Sequence, residues 1–189
     1  MHFSFTELQK LSSLALFSDP KSPAPWMSGV MIRVTTNNIT AAATDRYVIA
    51  HYEISSPGMG LDNGLEADYL WLDSITCKAL NSHKLSNKRY DVALLTYGDG
   101  VFSIEMENVT YKAQVLDGVD KRLEQMLAMV NEPVTSSFDS FVMNPSHLAK
   151  LSKISKNAWR FDRQTTGTIP PVVASVDGYK VVMQPNRGN

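Results

Sequence analysis

The chain has 189 residues, of which 43% are hydrophobic and 20% charged, and its formal net charge is −1. This length and composition predict a sizeable core, enough for one domain or one and a half, and exclude a largely disordered chain. The single cysteine, Cys77, excludes an internal disulfide and a cysteine-rich zinc site. No apolar run approaches the roughly 18 residues that cross a bilayer, and no basic-then-apolar signal layout begins the chain. We therefore expect a soluble, cytoplasmic protein with no membrane partner.

The first third of the chain predicts a short strand, a helix and three further strands. Phe3-Ser4-Phe5 alternates as a strand does, and Thr6-x-x-Gln9 is a capping-box pattern that predicts the start of a helix. The apolar stripe of this helix comprises Leu8, Leu11, Leu14 and Ala15. Runs rich in β-branched and small apolar residues then predict strands at 30–34, 39–44 and 48–54. A glycine-rich connector at 55–64 ends this unit.

The same order of elements follows in the middle of the chain. An aromatic strand at 69–72 leads to Asp73, a good N-cap, and to a helix at 74–83. The side chains that we expect this helix to turn inward are Ile75, Ala79 and Leu80. Strands are predicted at 92–97, 101–106 and 109–116, with Gly98-Asp99-Gly100 as the hairpin turn. A second connector covers 117–133 and has helical propensity over 121–130.

A third unit closes the chain. A strand at 138–143 precedes Asn144-Pro145, an N-cap with proline at the first helical position, and a helix at 146–156. The predicted inward side chains are Leu148, Leu151 and Ile154. Strands at 159–163, 172–176 and 179–183 follow. The three helix starts lie about 67 and then about 72 residues apart, which favours a threefold repeat of one strand–helix–strands unit. An ordinary α+β domain with three helices is the alternative.

Basic residues gather in two of the predicted helical segments. Residues 74–90 and 140–161 contain eight Lys and Arg and no acid, so the rest of the chain is acidic on balance. The candidates for phosphate contacts are Lys78, Lys84, Lys88, Lys150, Lys153, Lys156 and Arg160. Lysines on helices suit a protein that contacts DNA phosphates without reading sequence. An ordinary solvated helix face is the alternative.

No residue pattern predicts catalysis. The four histidines, at 2, 51, 83 and 147, show no metal-ligand spacing. His51 and Glu53 point the same way from one strand and are expected to form a surface pair rather than an acid–base site. Cys77 lies within a helix and is expected to be a small packed residue. We therefore expect a protein that is not an enzyme, with no catalytic residue, metal or cofactor.

Three stretches, in this order along the chain, carry a resemblance to a known family. The first is Thr40-Ala-Ala-Ala-Thr-Asp-Arg-Tyr-Val-Ile-Ala50, a small-residue strand with a polar break. The second is Tyr111-Lys-Ala-Gln-Val-Leu-Asp-Gly118, and the third runs from Pro170 to Arg187. Together they are similar to the bacterial DNA polymerase sliding clamps of the β-subunit class. The chain departs from that pattern at Val48, where the family usually has arginine, and at Gln184, an insertion before Pro185.

The resemblance implies an α+β fold of DNA-clamp-like repeats, with outer sheets and helices on one face. It divides the chain into a clamp-like domain of two half-units at 1–118, a linker at 119–137 and a half-domain at 138–189. Family chains are about twice as long, so the chain resembles a shortened, phage-type member. Family rings have about twelve half-units, and three per chain imply four chains. We therefore expect a homo-oligomeric ring, a tetramer by this arithmetic, with a dimer or a non-ring left open.

By the same resemblance, the function is that of a processivity factor that encircles duplex DNA and binds peptides of the polymerase and clamp loader. The peptide pocket carried over by position comprises Thr44, Arg46, Tyr47, Val48, Ile49, Val182, Met183 and Pro185. For Val182 and Met183, plain core packing is the alternative. A clamp mimic that binds host replication proteins without closing a ring is the alternative function. An unrelated α+β protein, enzymatic or not, is the second alternative.

Overall fold

A computed structural model describes residues 2–35, 38–55, 68–86, 91–98, 101–136, 142–167 and 169–185. These residues form twelve strands and four α-helices. The helices are α1 (Phe5–Ser13), α2 (Ser74–Ser82), α3 (Val119–Val130) and α4 (Pro145–Ile154). The first eight strands are β1 (His2–Phe3), β2 (Gly29–Val34), β3 (Asn38–Thr44), β4 (Val48–Ser55), β5 (Asp68–Asp73), β6 (Ala93–Gly98), β7 (Val101–Met106) and β8 (Val109–Ala113). The last four are β9 (Val134–Thr135), β10 (Arg160–Gln164), β11 (Val172–Val176) and β12 (Tyr179–Met183).

The strands build two antiparallel sheets. One has four strands in the order β1-β6-β7-β8, and the other has eight in the order β5-β2-β3-β4-β12-β11-β10-β9. A two-bond bridge connects the sheets, because the N–H of Trp71 donates to the carbonyl of Gln114 (2.7 Å) and the N–H of Gln114 donates back (2.9 Å). The strands of the described chain therefore run as one ribbon from β1 to β9.

Three helices share one face of the eight-stranded sheet. The larger core combines leucines of α1, α2 and α4 with one side of the strands, such as Val30, Ile32 and Val34 of β2. Met31 lies between these residues and packs on the opposite side, in a second core beneath α3. This division follows from the alternation of side chains along a strand. The predicted α+β clamp-like architecture is confirmed, and the segment expected as a linker contains α3, which covers the other face of the sheet.

The start of α1 differs from the predicted capping box. Ser4, not Thr6, is the N-cap, and its Oγ accepts the N–H of Glu7 at 3.3 Å. The same Oγ donates to Asp91 Oδ2 at 2.7 Å. A serine at position 4 is as good a cap by residue type as the threonine at position 6, and the contact with Asp91, which precedes β6, holds Ser4 at the cap.

Two predictions of inward side chains were wrong. Ile75 at the start of α2 is 78% exposed, and Leu148 on α4 is also exposed. Cys77 on α2 and His147 on α4 are buried instead, together with Leu80 and Leu151, which were predicted to point inward. Of the predicted strand at 138–143, residues 138–141 lie outside the described part, and residues 142–143 are not in a strand. Asp99 and Gly100 of the predicted hairpin turn also lie outside it, whereas Gly98 is the last residue of β6.

Candidate functional site

The two segments predicted to form a peptide pocket are adjacent in the fold. β4 pairs with β12, so that Ile49 lies opposite Val182 and Val48 opposite Met183. The N–H of Gln184 then donates to the carbonyl of Tyr47 at 2.9 Å. The pairing therefore joins the first and third sequence units in one sheet, at the position that the resemblance assigns to the pocket.

Most of the predicted pocket side chains are core residues in this chain. Val48 and Met183 are buried on the side of α1 and α4, whereas Ile49 and Val182 are buried beneath α3. Thr44 is buried as well. The accessible members are Arg46, Tyr47 and the half-buried Pro185. Tyr47, at 66% exposed, is the largest apolar surface among them.

A hydrogen-bonded turn presents Tyr47 to solvent. Asp45 Oδ1 accepts the N–H groups of Tyr47 (3.2 Å) and Val48 (3.0 Å). The hydroxyl of Thr44 donates to the Val48 carbonyl at 2.7 Å and accepts the N–H of Arg46 at 3.2 Å. Arg46 adopts the left-handed conformation, with φ of 81°. The Thr-Asp break is thus a built turn, in which both polar side chains bond to the backbone.

The carboxylate of Asp45 also contacts α4. Its Oδ2 lies 3.0 Å from Nζ of Lys150 and 3.9 Å from Nε2 of His147. Lys150 further lies over the ring of Phe17, at 5.5 Å. Burial lowers the pKa of His147 from its ordinary value, while the nearby Asp45 acts in the opposite direction. Lys150, predicted as a DNA contact, is therefore engaged within the protein.

The other predicted DNA-contacting residues have different surroundings. Lys78, Lys84, Lys153 and Lys156 are exposed, on or just after α2 and α4. Arg160 on β10 is exposed but bonds to Asp162, with Nε 2.9 Å from Oδ2. Lys88 lies outside the described residues. Neither α2 nor α4 contains an acidic residue, so their exposed surfaces carry positive charge alone.

The α3 face has mixed charge by comparison. Asp120, Lys121, Arg122 and Glu124 are all exposed on this helix. Glu124 accepts a hydrogen bond from Arg33 at 2.8 Å, and Arg122 lies over the Trp26 ring at 5.0 Å. The surface of the α2 and α4 helices therefore offers a phosphate backbone a more favourable field than the α3 face does.

The candidate residues for chemistry are buried. His51 is 6% exposed, so the expected surface pair with Glu53 was wrong. Cys77 is packed as expected, and burial raises the pKa of its thiol. No cluster of three or more His, Cys, Asp or Glu that could hold a metal occurs in the described ranges. No helix within those ranges has the length and apolarity needed to span a membrane.

Sequence reasoning missed one polar cluster. Arg33, Thr40, His51, Glu53 and Lys180 line a pocket beside α3. These residues lie an even number of positions from Met31, Ala42, Ile49 or Val182 along their strands, so alternation places all of them on the same side of the sheet. The strand pairing that brings them together was not predictable from the segments alone.

No protein-family model and no curated protein matches the chain by sequence. Solved structures match its fold along its whole length. A DNA polymerase III beta subunit from Thermotoga maritima has a TM-score of 0.70 at 12% identity, with 64% of that chain covered. DNA polymerase sliding clamps from Pseudomonas aeruginosa and Bacillus subtilis have TM-scores of 0.71 and 0.66 at 10% and 11% identity, with 66% and 64% of those chains covered.

The protein thus spans about two thirds of the length of these structures. At such identity, the likeness establishes fold and not activity. The continuous antiparallel ribbon, the three helices on one face and the β4–β12 junction together give this protein the fold of the bacterial DNA polymerase III beta subunits, the sliding clamps.

Proposed function

We propose that this protein is a DNA sliding clamp, a non-catalytic processivity factor that encircles duplex DNA and binds peptides of a polymerase and its clamp loader. One observation carries the proposal: α1, α2 and α4 share one face of a clamp-like sheet, and the exposed charges of α2 and α4 are all positive. The candidates for DNA contact are Lys78, Lys84, Lys153 and Lys156, with Lys88 as a further one.

The physical basis is sequence-independent attraction. Phosphate contacts from lysines carry no base information, so the complex can shift along DNA without breaking a specific bond. Such contacts release counterions, and their strength falls steeply as salt rises. A clamp retained by topology rather than by affinity needs only this weak contact surface.

Ring closure would be head to tail. The ribbon of the described strands begins at β1 and ends at β9, so contacts between copies would join unlike ends, and such contacts close into a ring when the rotation permits. On the predicted domain division, residues 1–118 supply two half-units and residues 138–189 supply a third. The linker at 119–137, which contains α3, connects the first domain to this third half-unit. Four copies would then give twelve half-units.

Peptide binding would use the β4–β12 junction. Tyr47, Arg46 and Pro185 form its accessible rim, whereas Ile49 and Val182 lie beneath α3. A partner peptide would therefore bind at the rim, or would insert an apolar side chain only after α3 shifts.

Retention on DNA tests the proposal. The protein, loaded onto nicked circular DNA with a clamp loader, should remain bound through gel filtration and should be lost when the circle is linearised. The double variant Lys153→Gln/Lys156→Gln should load less well. Lys121→Gln/Arg122→Gln, which removes the same charge from α3, should load normally. Equal retention on circular and linear DNA would reject topological binding.

The clamp mimic that binds replication proteins without closing a ring has one observation in its favour. Ile75, 78% exposed, and Leu148 place large apolar side chains on the same helices as the lysines. Such residues suit a protein contact better than a phosphate contact. The mass in solution distinguishes the two functions, because a strictly monomeric protein cannot form a ring of copies.

A further inference from the structure

A polar pocket lies between the eight-stranded sheet and the C-terminal end of α3. Its volume is about 350 Å³, which falls in the range of pockets that hold small ligands. The pocket is lined by Arg33, Thr40, His51, Glu53 and Lys180 of the sheet and by Asn131 at the end of α3. None of them belongs to the predicted DNA-contacting or peptide-binding sets.

Strand register brings the polar residues together. Arg33 of β2 lies opposite Thr40 of β3, and Thr40 lies opposite Glu53 of β4. His51 of β4 lies opposite Lys180 of β12. Opposed side chains on one face of an antiparallel sheet are near neighbours, about 5 Å apart at Cβ. Four adjacent strands therefore contribute one polar group or more to the same pocket.

Three buried polar atoms in this pocket are unpaired. Nε of Arg33, Oγ1 of Thr40 and Nδ1 of His51 have no hydrogen-bond partner among the residues that the structure describes. The side chain of Thr40 is 2% exposed and that of His51 is 6% exposed. Buried polar groups are almost always satisfied, so three unpaired atoms on one pocket wall mark a place where a ligand group or an ordered water would bind.

The charges of the lining favour an anion. Arg33 and Lys180 contribute two positive charges to the lining against one negative charge from Glu53, and Nη1 of Arg33 is held by Glu124 at 2.8 Å, while Nε has no partner among the described residues. The carboxylate of Glu53 is engaged by Nδ2 of Asn38 at 2.7 Å. Burial lowers the pKa of His51 to about 4, so near pH 7 its ring is neutral and supplies a hydrogen bond rather than a charge.

We propose that this pocket binds a small anionic oxygen group, a carboxylate or a phosphate, held by Arg33, Lys180, Thr40 and His51. The guanidinium and ammonium neutralise the charge, and the hydroxyl and imidazole complete the hydrogen bonds. Glu53 limits the site to groups of low charge, since it would repel a highly charged anion. This inference does not depend on the proposed clamp activity.

Nuclear magnetic resonance of the ¹⁵N-histidine-labelled protein tests the inference. Inorganic phosphate and succinate are titrated separately, with sodium chloride at matched ionic strength as reference, and His51→Gln identifies the His51 signals. A saturable shift of those signals supports the site. A shift with phosphate alone indicates a phosphoryl ligand, one with succinate alone indicates a carboxylate, and one with both indicates a site that accepts either.

Variants provide the controls. Lys180→Gln, at an exposed position that leaves the core intact, should raise the dissociation constant for the anion about tenfold. Thr40→Val should also raise this dissociation constant, while keeping the shape of the side chain. Lys153→Gln, on the other face of the sheet, should leave it unchanged. The proposal is overturned if neither anion shifts the His51 signals beyond sodium chloride, or if Lys180→Gln and Lys153→Gln behave alike.

Discussion

The ammonium of Lys150 lies 3.0 Å from Oδ2 of Asp45 and joins α4 to the turn between β3 and β4. These residues belong to the third and first sequence units. The contact lies at the edge of the core, where Lys150 also covers Phe17. A lysine that looks like a DNA contact in sequence is therefore part of the packing between units.

Lys150→Gln and Lys153→Gln should each affect a different property: the first should lower stability, and the second should lower loading on DNA. Loss of the Lys150 ion pair, with both partners half-buried or more, should lower the free energy of unfolding by about 1–2 kcal/mol. Retention on nicked circular DNA should change little. Lys153→Gln should reduce loading and leave stability unchanged. Urea unfolding and the retention assay check both expectations, and a Lys150→Gln protein of full stability with poor loading would contradict them.

Stability should fall at mildly acid pH because of His51. Its pKa of about 4 in the folded state lies below the ordinary 6.5, first because burial disfavours the charged ring and then because Lys180 and Arg33 repel it, while Glu53 opposes both. Between these values the unfolded chain binds more protons, so the free energy of unfolding decreases as pH falls from about 6.5 to about 4.

Across this window, protonation of His51 should lower the free energy of unfolding by up to roughly 3 kcal/mol. Urea unfolding at a series of pH values should show a shallower slope in this window for His51→Gln than for the parent protein. His147, whose pKa is also lowered by burial, adds a smaller slope of the same sign to both proteins. Parallel pH profiles would show that His51 is not the titrating group.

Gly29→Ala should disrupt the β2–β5 edge. A Cβ at Gly29 would lie 2.1 Å from the carbonyl oxygen of Leu72, a backbone atom with little room to move. We expect a loss of about 3 kcal/mol or more of unfolding free energy. Gly178→Ala is the milder comparison, with φ of 83° and a 3.2 Å approach to Tyr52 Cε2, and should cost about 1–2 kcal/mol. Thermal unfolding of both variants checks this order.

Leu123→Ala should test whether α3 is a structural part of the sheet. Leu123 is fully buried in the second core, so the substitution should cost about 2–5 kcal/mol. Met129→Ala on the same helix removes an exposed side chain and should cost less than about 1 kcal/mol. Urea midpoints measure both. Equal, small losses would mean that α3 contributes little to stability and leaves the junction open to a peptide.

The helix caps at Asp73 and Asn144 were predictable from sequence, because a cap depends on neighbours a few residues away. The cap of α1 was not, since Asp91, which precedes β6, holds Ser4 from 87 residues along the chain. Ile75 and Leu148 were also misassigned, because the few apolar residues of such short helices do not fix the rotation of the helix against the sheet. Tertiary packing sets that rotation.

The sequence alone predicted the α+β class and the order of the elements, because local periodicity and turn residues specify them, and the family resemblance pointed to the two segments that meet at the β4–β12 junction. The tertiary structure decided which residues are free to act. Pairing of β4 with β12 buried most of the predicted pocket, and Asp45 engaged Lys150. Register across four strands gathered Arg33, Thr40, His51 and Lys180. Those outcomes depend on contacts between residues far apart in the chain, which no local pattern specifies.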